Sequence, residues 1–339
     1  MRRLRVLVVY KKSQLELLLR RGAAPRGVHR ARLARSDREN RLALKSVVRD
    51  LKAAGADVQV AWRARLAKAR QANLIVSVGG DGTFLEAARI AGDRPILGVN
   101  SDPAQSLGIF SAADRGSFAR VFAGWLSCGR GLRAPTVRFG GRGTEVPPTP
   151  ATFTLKRLRV RINGRLIREA VLNDVLFAHP NPAVMSRHVL EILPSDRGGE
   201  TPPLRGSVHR QPGGRGRVTL PRRLEEQRSS GVWVATAAGS TGGVHACGGR
   251  VLPPDDARFQ FALREPLRRG RVLARLVRGV LDERDRLRLT SRMRRAALYV
   301  DGGHVAYPLK WGDTVEITGG APPLTVVGID PERRRRIFG

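Results

Sequence analysis

The chain has 339 residues, with 62 Lys and Arg against 29 Asp and Glu, a net charge of +33 and 41% hydrophobic residues. At about 150 residues per domain this length suggests two domains, and the apolar share suffices for packed cores, which excludes wholesale disorder despite the charge. Cys128 and Cys247 stand far apart, with no CxxC and no His at ligand spacing, which excludes a disulfide scaffold or a structural zinc site and favours a reducing compartment.

Only seven of the 62 basic residues are lysine, and the arginines are spread along the whole chain beside much Ala, Gly and Pro. The charge therefore reads more as compositional bias than as a selected polyanion surface. Aromatics are only 5%, and no basic stretch is interleaved with them, so nucleic acid is not expected as a partner. No apolar run approaches the ~18 residues that a membrane span needs. Leu4–Tyr10 is too short for a signal sequence and is broken by Arg5, so it reads as a first strand of a cytoplasmic protein.

The first hundred residues alternate strand and helix signals. Leu4–Tyr10 is a β-branched run. Ser36-Asp37-Arg38-Glu39 fits a capping box, followed by Leu44, Val47, Val48 and Leu51 on one helical face and Gly55 as the stop. Val58–Ala61, Leu74–Val78 and Pro95–Val99 read as strands, with a helix over Phe84–Ile90. That order predicts a parallel sheet covered by helices, a Rossmann-like α/β domain over residues 1–125. Further on, Leu155–Ile162, the Asn163-Gly164 hairpin turn and Arg165–Glu169 suggest antiparallel β structure. Val171–Ala178, Val184–Leu193, Val232–Thr236, Ala296–Val300, Thr314–Ile317 and Leu324–Ile329 follow as strands, with Asp301-Gly302-Gly303 as a turn. A mostly antiparallel β domain is expected over 126–318, with loops at 140–150 and 195–230, the latter holding a strand hint at Arg217–Leu220. Residues 319–339 are expected to pack back on the first domain and to end in the basic Arg333–Arg336 run.

The sharpest motif is Gly79-Gly80-Asp81-Gly82-Thr83, between a buried-type strand and a helix. The glycines let backbone approach phosphate oxygens, and the helix start offers free N–H groups. A carboxylate repels phosphate unless it holds a metal or takes a proton. Asp81 thus suits phosphoryl transfer, activating a hydroxyl or orienting Mg2+. A tight turn with an Asp cap is the plainer alternative. No Walker A or GxGxxG motif is present. A second Gly-rich turn, Gly239-Ser240-Thr241-Gly242-Gly243, offers hydroxyls to ribose, base or phosphate, or is simply a surface loop. Asn173 and Asp174 interrupt an apolar strand, where polar groups are costly unless paired or at a site edge.

Taken in order, GGDGT, Asn173-Asp174 and the Gly-Ser-Thr turn resemble the NAD kinase family. Gly98–Pro103, Ser229-Ser230-Gly231, Leu263–Pro266 and Val300–Gly303 resemble its mitochondrial-type members and their bacterial relatives. The similarity runs from about residue 4 to residue 318. Lipid kinases share GGDGT, but Leu85 stands where they usually carry Asn. The resemblance implies MgATP-dependent phosphorylation of the 2′-hydroxyl of the adenosine ribose of NAD, with Mg2+ or another divalent cation entering with ATP and no metal ligands singled out in the chain. It implies Asp81 as the catalytic residue, and Gly79, Gly80, Gly82 and Thr83 as the phosphate-facing turn. Asn100, Asn173, Asp174, Gly239, Ser240 and Thr241 become NAD-binding, and a homodimer is expected. Gly242-Gly243 replaces the Ala-Tyr found in most members, which removes an aromatic surface from the dinucleotide pocket. Two other readings stand beside this one: a kinase of another hydroxyl acceptor on the same fold, and a degenerate nucleotide- or polyanion-binding paralogue.

Overall fold

The computed structural model describes residues 3–23, 25–64, 66, 72–127, 152–195, 223–267 and 274–329. Cys128, the 140–150 loop, the Arg217–Leu220 hint and the Arg333–Arg336 run lie outside the described residues. The chain divides into two compact units, Met1–Thr154 with Leu324–Gly339, and Leu155–Pro323. The sequence places the divisions after residues 125 and 318 instead; Trp125 lies inside a helix.

The first unit runs β1 (Arg5–Tyr10), α1 (Gln14–Arg20), α2 (Gly27–Ala53), β2 (Asp57–Trp62), β3 (Leu74–Gly79), α3 (Asp81–Ala91), β4 (Ile96–Asn100), β5 (Ala113–Asp114) and α4 (Phe118–Ser127). Four strands lie parallel in the order β2-β1-β3-β4. β3 and β4 are buried along their whole length, as parallel strands covered on both faces must be. Val6, Val8, Val76 and Val99 share one core with Ala43, Val47 and Leu51 of α2 and with Phe118 and Phe122 of α4.

The capping box expected at Ser36 is corrected by the structure. α2 begins nine residues earlier, because its Arg- and Ala-rich first turns favour helix without showing an apolar period. Ser36 is therefore interior, and its carbonyl accepts from Asn40 Nδ2 at 2.7 Å. Glu39 pairs with Arg115 at 3.6 Å instead of reaching back to a cap. The working S-x-x-E pattern is Ser13–Glu16, where Ser13 Oγ accepts from the Glu16 amide at 3.0 Å and caps the unforeseen α1.

The second unit holds β6 (Thr152–Ile162, entering from the first), β7 (Arg165–Leu166), β8 (Asp174–Ala178), β9 (Ser186–Leu193), β10 (Arg223–Ser229), β11 (Gly231–Thr236), a 3-10 turn (Ala238–Thr241), α5 (Gly243–Ala246), β12 (Phe259–Arg264), β13 (Arg278–Leu281), β14 (Arg286–Ser291), β15 (Ala296–Val300), β16 (Val305–Leu309) and the start of β17 (Thr314–Val327). One antiparallel sheet has the order β13-β12-β11-β8-β15-β16. In a second, β10, β9, β14 and Thr314–Thr318 of β17 pair antiparallel. Val175, Phe177, Val232 and Leu298 of the former meet Leu190, Ile192, Leu287 and Val315 of the latter in one core, the mark of a sandwich. Asn163 and Gly164 both have positive φ, 49° and 79°, the turn that their dipeptide demands. The strand returning from it is only two residues long.

Three further expectations are corrected. Arg223–Ser229, placed in a loop by sequence, is strand β10; it buries Gln227 and Ser229 and exposes Leu224, so it carries no apolar alternation. The strand expected from Val171 begins at Asp174, so Asn173 and Asp174 stand at its start, not within it. Thr314–Ile317 and Leu324–Ile329 belong largely to the single strand β17, whose Gly319-Gly320 breaks the pattern but not the strand.

Candidate active site

In the first unit the motif Gly79–Thr83 spans the end of β3 and the start of α3. Gly80 is extended and leads the helix with no side-chain cap. Gly79 is required by close approach, not by positive φ: a Cβ there would stand 2.3 Å from Thr83 Oγ1 and 2.6 Å from Thr83 Cβ, whereas one on Gly80 would meet only the Ser106 side chain, 2.5 Å from its Oγ. The Thr83 and Phe84 amides turn back to the Gly80 carbonyl at 2.9 and 3.2 Å. The amides of Asp81 and Gly82 lie in the first turn, where helical N–H groups have no intrahelical acceptor. Asp81 is not a cap. Its Oδ1 accepts from the Phe110 amide at 3.0 Å, and Phe110 is itself fixed by stacking on Phe84 with centroids 5.0 Å apart. No described residue donates to Oδ2, which leaves that oxygen available for a proton.

Asn100 lies beside this turn, at the end of β4. Its Nδ2 donates to the Ser106 carbonyl at 2.9 Å and its Oδ1 accepts from the Asp102 amide at 3.2 Å, so its amide organises the loop that follows. The Ser101 amide bonds back to the Gly79 carbonyl at 3.1 Å.

In the second unit the structure brings Asn173, Asp174, Gly239, Ser240 and Thr241 together. The Gly-Ser-Thr segment is no surface loop; Gly239 and Ser240 are buried. Thr236 Oγ1 donates to the Leu172 carbonyl at 2.6 Å and accepts from the Gly239 amide at 3.0 Å, which ties the turn to the Asn173-Asp174 segment. A Cβ on Gly239 would stand 2.0 Å from the Asn173 carbonyl oxygen, so only glycine fits. Ser240 Oγ donates to the Ala237 carbonyl at 2.8 Å and accepts from the Leu252 amide at 2.9 Å, and so braces the turn from within. Thr241 and Asn173 are half-buried.

Asp174 is buried, and Asn173 Nδ2 donates to its Oδ2 at 2.9 Å. Burial raises its pKa from 3.8 to about 7, the negative charge of Asp301 adds to the rise, and the Asn173 hydrogen bond opposes it. Asp301 is the residue that sequence reasoning missed as a site element. Its carboxylate accepts from the amides of Asn173 at 2.7 Å, Leu172 at 3.1 Å and Asp174 at 3.2 Å. Its own amide donates to the Asp174 carbonyl at 2.9 Å, and its φ of 47° serves that geometry. The sequence offered only the Asp-Gly-Gly turn and the family resemblance of Val300–Gly303, neither of which singles out the Asp301 carboxylate.

A family model described as the ATP-NAD kinase N-terminal domain matches residues 27–122. The chain is 31% identical over 271 residues to the probable NADH kinase of Oryza sativa subsp. japonica, covering 75% of this chain and 70% of that protein. The chain belongs to the NAD kinase family. As a member it is an ATP-dependent phosphotransferase acting on NAD(H). Among solved structures its fold is similar to that of an NAD kinase from Archaeoglobus fulgidus in complex with ATP, with a TM-score of 0.58 at 19% identity over 99% of this chain and 98% of the other. It is also similar to yeast NADH kinase complexed with NADH, with a TM-score of 0.62 at 15% identity over 99% and 86%. Its strand arrangement, parallel over β2-β1-β3-β4 in the first unit and wholly antiparallel in the six-stranded sheet of the second, follows the family fold.

Among the described residues no three His, Cys, Asp or Glu side chains cluster to hold a metal ion. The donor chemistry at Asp81, one carboxylate beside spare backbone amides, fits a divalent cation that arrives on nucleotide phosphates and keeps most of its ligands from phosphate and water.

Proposed function

We propose that Asp81 is the base of the kinase reaction, taking the proton of the 2′-hydroxyl of the adenosine ribose of NAD(H) as that oxygen attacks the γ-phosphorus of ATP. The new bond joins the 2′-oxygen to phosphorus, the bond from phosphorus to the β,γ-bridging oxygen breaks, ADP leaves, and the proton resides on Asp81 Oδ2. The observation that carries this reading is the Asp81 carboxylate, oriented through Oδ1 by the Phe110 amide and open at Oδ2. Gly79, Gly80, Gly82 and Thr83 form the turn that takes the phosphates of ATP at the start of α3, where the Asp81 and Gly82 amides are spare. A divalent cation entering with ATP would supply charge neutralisation of the transferring phosphoryl group, and Asp81 is a carboxylate that could help to hold it. Asn173 and Asp174 bind the ribose of NAD(H), and Gly239, Thr241 and Ser240 shape the turn beside its adenine. Asn100 acts through the loop that it organises.

The test is purified full chain with ATP, Mg2+ and either NAD or NADH, with the phosphorylated product separated chromatographically. Wild type is expected to form NADP or NADPH, and Asp81→Asn to lose on the order of 10^2–10^4-fold in kcat, the usual worth of a general base. Product from Asp81→Asn at the wild-type rate would remove Asp81 from the chemistry. The chain is further proposed to act as a homodimer in the cytoplasm; light scattering giving a monomer mass would end the dimer proposal.

A further inference from the structure

Four parallel strands end together at one edge of the first unit's sheet. Tyr10, the last residue of β1, is in register with Trp62 of β2 and Val78 of β3, and Gly79 with Asn100 of β4. The next residues out are Lys11, Arg63, the Gly80–Thr83 turn and Ser101-Asp102. The Arg63 amide bonds to the Tyr10 carbonyl at 2.9 Å, which fixes the two exits side by side. In open parallel sheets this carboxyl edge is where ligands bind.

Two cations stand at that edge, Lys11 and Arg63. Lys12, one residue on, is occupied: it pairs with Glu16 at 3.3 Å and lies 4.5 Å over the Trp62 ring. Among the described residues, Lys11 Nζ and the Arg63 guanidinium have no hydrogen bond or ion pair. Lys11 is half-buried; burial pushes its ammonium pKa down and the Arg63 charge adds to that, opposed by Asp102. Arg63 Nη1 lies 3.6 Å from where a Gly82 Cβ would stand, so the guanidinium sits over the first turn of α3. In the same cluster, buried Thr83 Oγ1 and Asp102 Oδ2 have no hydrogen-bond partner among the described residues. A half-buried cation facing another cation beside spare helix amides is costly alone, and an anion offsets that cost.

We propose that Lys11 and Arg63 are binding residues for the triphosphate of ATP, which they clamp against the start of α3. This rests on the assignment of the Gly79–Thr83 turn to ATP. The triphosphate is the more highly charged of the two substrates' phosphate chains, and the cations flank the turn that carries Asp81. The Asp102 charge opposes the effect of burial and of Arg63 on the Lys11 ammonium.

Two measurements test the proposal. Calorimetry with ATP on wild type, Lys11→Gln, Lys11→Arg and Arg63→Gln is expected to show a Kd for ATP raised about tenfold or more by each Gln variant, from loss of a charge-assisted hydrogen bond. Lys11→Arg should keep most of the affinity, and KM for NAD should stay near the wild-type value. ATP affinity unchanged in both Gln variants would overturn the proposal, as would a rise in KM for NAD with ATP unaffected. The second measurement needs no variant: ATP and inorganic tripolyphosphate should protect Lys11 of the wild type from acetylation, read by mass spectrometry, whereas NAD should not. Equal labelling with and without tripolyphosphate would overturn it. Both readouts hold even if wild type forms no NADP, an outcome that sinks the kinase reading and not this one.

Discussion

Asp174 and Asp301 show what one buried carboxylate does to another. The Asp301 charge is spread over three backbone amides, whereas Asp174 receives a single side-chain donor in a buried place. Its proton is therefore held up to about 7, against 3.8 unperturbed. Because the folded-state pKa is raised, Asp174 contributes most to stability when protonated, below 3.8, and that contribution is lost as pH climbs through about 7. Asp174→Asn stays neutral throughout. The melting temperature of wild type is expected to fall relative to that variant across this window, and parallel curves would show that Asp174 ionises normally. At this scale the sequence was legible where chemistry needs an unusual residue type in an unusual place, as at Asp81 and Asn173-Asp174. It marked Val300–Gly303 as a turn and a resemblance but not the role of the Asp301 carboxylate, because three amides converging on one carboxylate arise from strand pairing far apart in the chain.

Among the elements, the turn from Ala238 to Ala246 carries the Gly242-Gly243 pair that the family resemblance did not lead one to expect. Gly243 stands where most members carry tyrosine, and the structure gives a steric reason for glycine: a Cβ there would lie 2.5–3.0 Å from the Trp233 indole. Trp233 projects from β11 on the face opposite Val232 and Val234, toward the small cluster of Ala235, Val244 and Ala262. Gly243→Ala should therefore cost about 1–3 kcal/mol by overpacking. Adding Trp233→Leu should return much of that loss, a coupling measured by denaturant unfolding of the double-mutant cycle. Additive effects would show that the two do not compete for space. Elements with a clean apolar period, such as β3, β4 and β15, were readable to within a residue or two. α1, α4, β10 and β12 to β14 were not foreseen, whereas β11 was. β10 buries Gln227, whose Oε1 meets His188 Nε2 at 3.1 Å, and polar pairs of that kind erase the alternation that marks a strand.

Over the whole molecule, the +33 charge is compatible with polyanionic substrates, yet the described geometry works with a few placed groups. Chain topology matters more. β17 leaves the antiparallel sheet of the second unit and ends in the first, where Val326 and Val327 pair in parallel with Ile96 and Leu97 of β4. The first unit is thus assembled from two stretches separated by the entire second unit. A chain ending at Pro323 would leave that flank of β4 unpaired. It is expected to aggregate or to expose Ile96 and Leu97 amides to rapid hydrogen exchange, while exchange in β8 and β11 stays slow. Undisturbed protection at Ile96 and Leu97 would show that the returning strand is dispensable. On the ribosome, Leu74–Asn100 emerge long before the residues that complete their sheet. The Gly79–Thr83 turn is therefore synthesised early, but a truncated nascent chain cannot complete the sheet that carries it before the second unit has been made.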